Sequence, residues 1–209
     1  MGKVVARALS VAELPAAAAL LAQSFLDDQG MIVLFTAREE QDLKKSMLHW
    51  FNATLRMWHQ KKQLMLGAFD EGELVGALLV GRTDLRVTGV AQLLWMINVG
   101  WHCGFATIMR TAKHDAHRQH SFPQSFAYIV EFVAVDGCAR GKGVGRTLFE
   151  QFHSRLGEAE QVWLETTRQE NLSIFSKLGY QECARSTSLG ANFVQMLRIP
   201  TKEKPIASS

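Results

Sequence analysis

One stretch of this chain constrains the fold more than any other: Val133-Ala134-Val135-Asp136-Gly137-Cys138-Ala139-Arg140-Gly141-Lys142-Gly143-Val144-Gly145-Arg146. Upstream, the apolar run Phe126 to Val135 reads as a strand. Downstream, Val144 to Leu156 reads as an amphipathic helix, with Val144, Leu148, Phe149, Phe152 and Leu156 on one side. Between them lies a turn rich in glycine. A strand, glycine turn and helix in this order presents backbone N–H groups at a helix N-terminus, where the dipole is positive. Glycine lets an anion approach the backbone closely. Arg140, Lys142 and Arg146 add positive charge. The physical reading is a cradle for phosphate, set against a plain left-handed glycine turn carrying solvated basic residues.

The spacing separates the known kinds of cradle. A Walker A loop needs Gly-x-x-x-x-Gly-Lys-Ser/Thr, but five positions after Gly137 stands Lys142. A dinucleotide fingerprint needs Gly-x-Gly-x-x-Gly opening an N-terminal βαβ unit. Here the glycines run 141, 143, 145 and several strands come first. Arg140-Gly141-Lys142-Gly143-Val144-Gly145 instead fits Arg/Gln-x-x-Gly-x-Gly/Ala without a gap.

The rest of the chain supplies alternating elements. Val4 to Leu9 reads as a first strand, and Ser10 with Glu13 has capping-box spacing before a helix over Val11 to Phe25. Asp27-Asp28-Gln29-Gly30 breaks that helix. A second helix runs from about Glu39 to Lys61. Leu64 to Phe69 and Leu74 to Gly81 flank Asp70-Glu71-Gly72-Glu73, a hairpin signal. Arg82 to Pro123 reads as a long, mostly helical insertion. Val162 to Thr166 is a strand, Leu172 to Leu178 a helix ended by Gly179, and Asn192 to Ile199 a last strand. Residues 1–199 are expected to form one domain, and the polar, proline-bearing 200–209 a disordered tail.

At 209 residues, with 47 % hydrophobic and 21 % charged, the chain can bury a sizeable core. A net charge of +3 suits an anionic cofactor and makes no demand for nucleic acid. Three scattered cysteines argue against a disulfide framework or a structural zinc. Val90 to Val99 is too short to span a bilayer. The N-terminus has no signal-peptide core. A soluble, reduced, cytoplasmic protein is expected, without a membrane partner; a homodimer is left open.

On the glycine motif and its downstream partners, the chain resembles the GCN5-related N-acetyltransferase (GNAT) superfamily. Those partners are Leu164-Glu165-Thr166-Thr167, Asn171 and Ile174-Phe175-Ser176-Lys177-Leu178-Gly179-Tyr180. The likeness covers roughly Gln63 to Ile199, apart from the insertion. Ser24-Phe25-Leu26-Asp27-Asp28, Phe35 and the Trp-bearing helix are similar to a subgroup that includes puromycin acetyltransferase. The resemblance implies an α/β fold: a mixed, mostly antiparallel sheet with helices on both faces and a helical insertion between the third and fourth strands. It implies that the strands Phe126–Val135 and Val162–Thr166 splay apart, and that pantetheine pairs with the first like an added strand. It implies an acetyl-coenzyme A cosubstrate, no metal, and an acceptor amine. By matched position, Val133 and Val135 contact the cofactor through their backbones, and the Val133 N–H faces the thioester oxygen. Arg140, Gly141, Lys142, Gly143, Val144, Gly145 and Arg146 hold the diphosphate, and Asn171 bonds the pantetheine or nearby backbone.

An ammonium must lose a proton before it attacks a thioester. Glu131, two residues before Val133 on the same strand face, is the expected base, made more basic by desolvation; the bland reading is an ion pair with Arg or Lys. The family's frequent Tyr acid is absent: Ile174-Phe175 stands where Phe-Tyr is usual, and Tyr180 reads as a packing residue. His114, His117 and His120 are expected to be solvated or to line the acceptor side rather than to bind metal. Arg110, Lys113 and Arg118 read as a solvated basic face. Trp50, Trp58, Trp95 and Trp101 are expected mostly in the core, some lining an acceptor pocket. Cys138 is not expected to act as a nucleophile. The long apolar insertion favours a small-molecule amine. A peptide acceptor and a non-catalytic acyl-coenzyme A binding module are the alternatives.

Overall fold

The computed structural model describes residues 4–36, 39–83, 89–123, 125–157 and 159–199. The expected tail 200–209 lies outside the described residues. The strands are β1 (Val5–Ala8), β2 (Leu64–Asp70), β3 (Glu73–Arg82), β4 (Tyr128–Val135), β5 (Val162–Thr166), β6 (Tyr180–Ser188) and β7 (Ala191–Arg198). The helices are α1 (Leu14–Ser24), α2 (Gln29–Ile32), α3 (Glu40–Gln60), α4 (Val90–Cys103), α5 (Phe105–Arg118), α6 (Val144–His153) and α7 (Gln169–Lys177). The strands form one seven-stranded sheet in the order β1-β2-β3-β4-β5-β7-β6. Every pairing is antiparallel except β4 with β5.

Period-two alternation along the central strands feeds two cores. Met65, Ala77 and Leu79 face α1, α3 and α4 with Leu21, Phe51, Leu55 and Val99. Leu66, Leu78 and Val80 face the other way, onto Leu148, Phe149 and Phe152 of α6 and Phe175 of α7. Helices therefore cover both faces, as expected for the fold class. Gly76 of β3 lets α6 pack close to the sheet: a Cβ there would lie 2.7 Å from Val144 Cγ1. The insertion lies between β3 and β4 as expected, but it is two helices broken at Gly104, whose φ is +87°.

Local signals explain most of the boundaries. The Glu13 carboxylate accepts the Ser10 N–H at 2.7 Å, the predicted capping box, although the first turn, Val11–Glu13, is a 3₁₀ helix before α1. The helix break at Asp27–Gly30 leads into a single-turn helix, α2, capped by the Asp28 side chain, which accepts the Met31 N–H at 3.0 Å. Helix α7 starts at Gln169, earlier than its apolar residues suggest, and ends at Lys177, with Gly179 at φ +89° just past its C-cap Leu178. Strand β6 was not expected. It is the sheet edge, and between Tyr180 and Ser188 its residues Gln181-Glu182-Cys183-Ala184-Arg185-Ser186-Thr187 are exposed or only partly covered. They therefore lack the apolar alternation that marks a strand.

Candidate active site

Two features of β4 open the sheet. Its parallel pairing with β5 covers only Tyr128, Ile129 and Val130, opposite Val162, Trp163 and Leu164. Beyond that, β5 stays paired to β7 through Thr166 while residues 131–135 of β4 have no partner on that side. The register of β4 with β3 also shifts: Phe132 opposes Leu79 and Val130 opposes Val80, so Glu131 is the extra residue of a β-bulge. Bulges re-aim side chains and frequently lie beside active sites. The Asp136 N–H donates to Val75 O on β3 at 2.9 Å. Amides alternate sides along a strand, so those of Val133 and Val135 point into the gap.

A cleft of about 1260 Å³ passes through this gap. On one side its wall includes Val133, Val135, Arg140, Gly141, Gly143, Val144, Gly145, Arg146 and Asn171. Gly143 is the N-cap of α6 with φ +80° and ψ +4°, and Gly141 has φ +76°. Side chains rarely adopt that conformation, and here it leaves the first amides of α6 uncapped by any side chain. The structure thus brings together all the sequence-predicted cradle residues except Lys142, which is exposed and lies off the cleft wall. Arg146 is exposed and paired with Glu150 at 2.7 Å. Asn171 Nδ2 lies 3.5 Å from Thr166 Oγ1. Cys138 is exposed in the turn, its N–H donating to Asp136 Oδ1 at 2.8 Å.

The opposite wall is made of side chains. Trp50, Met57 and Trp58 come from α3, and Gln92, Trp95 and Met96 from α4. Ile108, Thr111, His114, Asp115 and Arg118 come from α5. Trp95 Nε1 donates to Thr54 Oγ1 at 2.9 Å. The expectation that these tryptophans are core or pocket residues holds for Trp50, Trp58 and Trp95. It fails for Trp101, which is 85 % exposed.

A charged cluster forms part of the cleft lining. Arg118 Nη1 and Nη2 donate to Glu131 Oε2 and Oε1 at 2.6 and 2.8 Å. Its Nε is 3.1 Å from Asp115, and Nη1 is 3.8 Å from Glu165. Glu165 Oε1 also meets His114 Nε2 at 3.0 Å, and His114 Nδ1 meets Ser188 Oγ at 3.1 Å. Burial pulls the Arg118 guanidinium down, but Glu131, Asp115 and Glu165 outweigh it and hold the group firmly charged. Burial pushes the Asp115 carboxyl up; Arg118 opposes this, and Glu131 adds to it. The reading of Arg110 and Arg118 as a solvated face is corrected. Arg118 is a partly buried ion-pair centre, and Arg110 Nη1 donates to the Phe35 and Val33 carbonyls at 2.9 and 3.3 Å. A sequence shows a helix's charges, not the carboxylates that a sheet brings to meet them. Asp115 had only its i,i+3 helical spacing from Arg118 as a signal, and Glu165 had no local charge partner to mark it.

The remaining candidates separate cleanly. Of the three histidines, only His114 lines the cleft, and no group of side chains suited to a metal exists among the described residues. Phe175 is buried against Phe149 and Tyr180. Tyr180 is buried too, its hydroxyl 3.2 Å from His153 Nε2, and burial raises its pKa. It packs, as expected. Also along the cleft lining, Arg168 pairs with Asp27 and Asp28, and the Thr167 hydroxyl donates to Asp28 Oδ2 at 2.9 Å. This ties the α1–α2 connection to the end of β5.

No family model matches the chain, and no curated protein matches it significantly. Solved structures do. A Corynebacterium glutamicum protein described as histone acetyltransferase HPA2 and related acetyltransferase superposes with TM-score 0.69 at 19 % identity, over 97 % of this chain and 98 % of that one. A GCN5-related N-acetyltransferase from Rhodopseudomonas palustris gives 0.55 at 16 % identity, over 95 % and 97 %. The ribosomal-protein-S18-alanine N-acetyltransferase of Escherichia coli gives 0.54 at 14 % identity, over 99 % and 100 %. With its splayed fourth and fifth strands, glycine turn and covering helices, the chain has the fold of the GCN5-related N-acetyltransferases.

Proposed function

We propose that the chain is an acetyl-coenzyme A-dependent N-acetyltransferase acting by direct transfer in a ternary complex. One observation carries this reading: the gap between β4 and β5 opens beside the uncapped, glycine-led N-terminus of α6. Unpaired strand amides suit the amide-bearing pantetheine arm, and the α6 turn suits its diphosphate. Gly141, Gly143, Gly145 and Val144 would hold the phosphates chiefly through backbone N–H groups, with Arg140 and Arg146 adding charge. The Val133 N–H would stabilise negative charge developing on the thioester oxygen. The amine nitrogen forms a bond to the acyl carbon, the carbon–sulfur bond breaks, and the amine proton passes to a base.

Glu131 is the proposed base, acting directly or through water. Both of its oxygens accept from Arg118, the ion pair set against the catalytic reading in the sequence; that pair would orient the carboxylate, and one oxygen would have to leave it to take up a proton. The contact of His114 with Glu165 favours a second candidate on the same wall. The acceptor is proposed to be a small-molecule amine. Its support is the wall of Trp50, Trp58, Trp95 and Met96, with carboxylates of Asp115, Glu131 and Glu165 set against the single guanidinium of Arg118. Such a wall suits an apolar body with a cationic head.

Calorimetric titration of acetyl-coenzyme A tests the cradle, with ATP and NAD as controls. Saturable one-site binding is expected. Release of coenzyme A thiol in the presence of amines tests transfer. Absence of binding would withdraw the proposal. Binding without turnover of any amine would leave an acyl-coenzyme A binding module, the reading favoured by Phe175 where the family often has Tyr.

A further inference from the structure

Helix α4 contradicts its own surroundings. Val90-Ala91-Gln92-Leu93-Leu94-Trp95-Met96-Ile97-Asn98-Val99-Gly100-Trp101-His102-Cys103 contains no Asp, Glu, Lys or Arg. A helix that is apolar all round normally lies in an interior. Here only one stripe is covered: Val99 and Cys103 are buried, Trp95 is partly buried, and the stripe packs on α3. At 100° per residue, Val90, Leu93, Leu94, Ile97 and Trp101 fall on the opposite face. All five are exposed, Val90 by 73 %, Ile97 by 61 % and Trp101 by 85 %. Phe105 and Met109, at the start of α5, are exposed as well.

We infer that this face is the contact between two copies of the chain, paired about a two-fold axis through α4. Area supports it. Taking about 150–250 Å² for a full Trp side chain and somewhat less for each aliphatic one, the five α4 residues expose roughly 400–700 Å². That meets or exceeds the largest apolar patch of an ordinary monomer, about 300–600 Å². It approaches the roughly 800 Å² per partner of a standard interface, and Phe105 and Met109 extend it. Charge supports it too. A helix that lies on a membrane surface carries Lys and Arg beside its apolar face, and α4 has neither. An uncharged apolar face is complementary to itself, which is what an isologous contact requires. Trp95 and Met96 of the same helix line the cleft. The contact would therefore brace the acceptor wall from behind without entering it.

Sedimentation velocity on the full chain from about 1 to 100 µM tests the inference. A dimer is expected for the wild type, and a monomer for Ile97→Lys combined with Trp101→Glu. Both positions are exposed, so the variant should fold; a circular-dichroism melt checks this. Should it not fold, Leu93→Glu alone replaces it and is expected to weaken the dimer at least tenfold. A wild type that stays monomeric at 100 µM overturns the inference. So does a dimer that survives both variants. So does a monomer that sediments with vesicles of neutral or anionic phospholipid, which would assign the face to a membrane. None of these outcomes depends on acetyl-coenzyme A, so the result is separable from the transfer chemistry.

Discussion

The two walls of the cleft are built in opposite ways. The wall formed by β4, the glycine turn and α6 is backbone: free strand amides, a left-handed Gly143 and the first N–H groups of a helix. The wall formed by α3, α4 and α5 is side chain: tryptophans, and a guanidinium among three carboxylates gathered from α5, β4 and β5. A backbone site depends on conformation, which a few consecutive residues specify. A side-chain site depends on which distant residues the fold brings together. The first wall should therefore tolerate loss of side chains and fail when its conformation is disturbed, and the second should do the reverse.

The largest expected effect is Gly143→Glu, which forces a side chain into a left-handed conformation at about 1–3 kcal/mol and puts a carboxylate where an anion should sit. Calorimetry should show acetyl-coenzyme A affinity down at least about a hundredfold. Full affinity would break the backbone account. On the other wall, Arg118→Ala leaves Glu131 without its ion-pair partner. It should destabilise the fold by about 3–5 kcal/mol in urea unfolding. A loss under about 1 kcal/mol would mean the cluster is well solvated.

Glu131→Gln keeps shape and removes charge. Turnover should fall more than about tenfold, with acetyl-coenzyme A binding unchanged. If turnover persists there but falls in Glu165→Gln, the His114–Glu165 contact takes over the role. Arg146→Ala is the control on the backbone wall. Arg146 is exposed and, among the described residues, paired with the exposed Glu150, so stability should change by less than about 1 kcal/mol.

The smallest effect concerns His153, behind the cradle on α6. Burial, with Arg198 adding to it, pushes its pKa down to about 4, below the unfolded value of about 6.5. The unfolded chain thus takes up the proton first. The stability this group contributes is complete above about pH 6.5 and lost as pH falls from there towards 4. His153→Phe should flatten the pH dependence of the urea midpoint over that interval. An unchanged slope would place its origin elsewhere.

Much of the fold could be read locally. Strand β4 announces itself by a β-branched run, α6 by an amphipathic face, and the β2–β3 hairpin by Asp-Glu-Gly between apolar runs. Edge strand β6 could not, because a solvated strand has no apolar period to detect. The backbone wall of the site was legible down to Gly141 and Gly143. Lys142 is exposed and outside the cleft lining; a charge within a motif carries no information about which way its side chain turns. On the other wall Arg118 misled: its i,i+3 spacing from Asp115 on α5 marks a local pair, but nothing in the sequence predicts that the pair meets Glu131 on β4 and Glu165 on β5.

The chain's own sequence determined the glycine turn, since glycine occupies positive φ without strain and its neighbours set where strand ends and helix begins. Tertiary structure decided the rest. The end of β4–β5 pairing after Val130 and Leu164 opened the cleft. The sheet brought Glu131 and Glu165 to Arg118 and His114. And α4 was left with one apolar face in the core and one outside, because burial is a property of neighbours and not of residues.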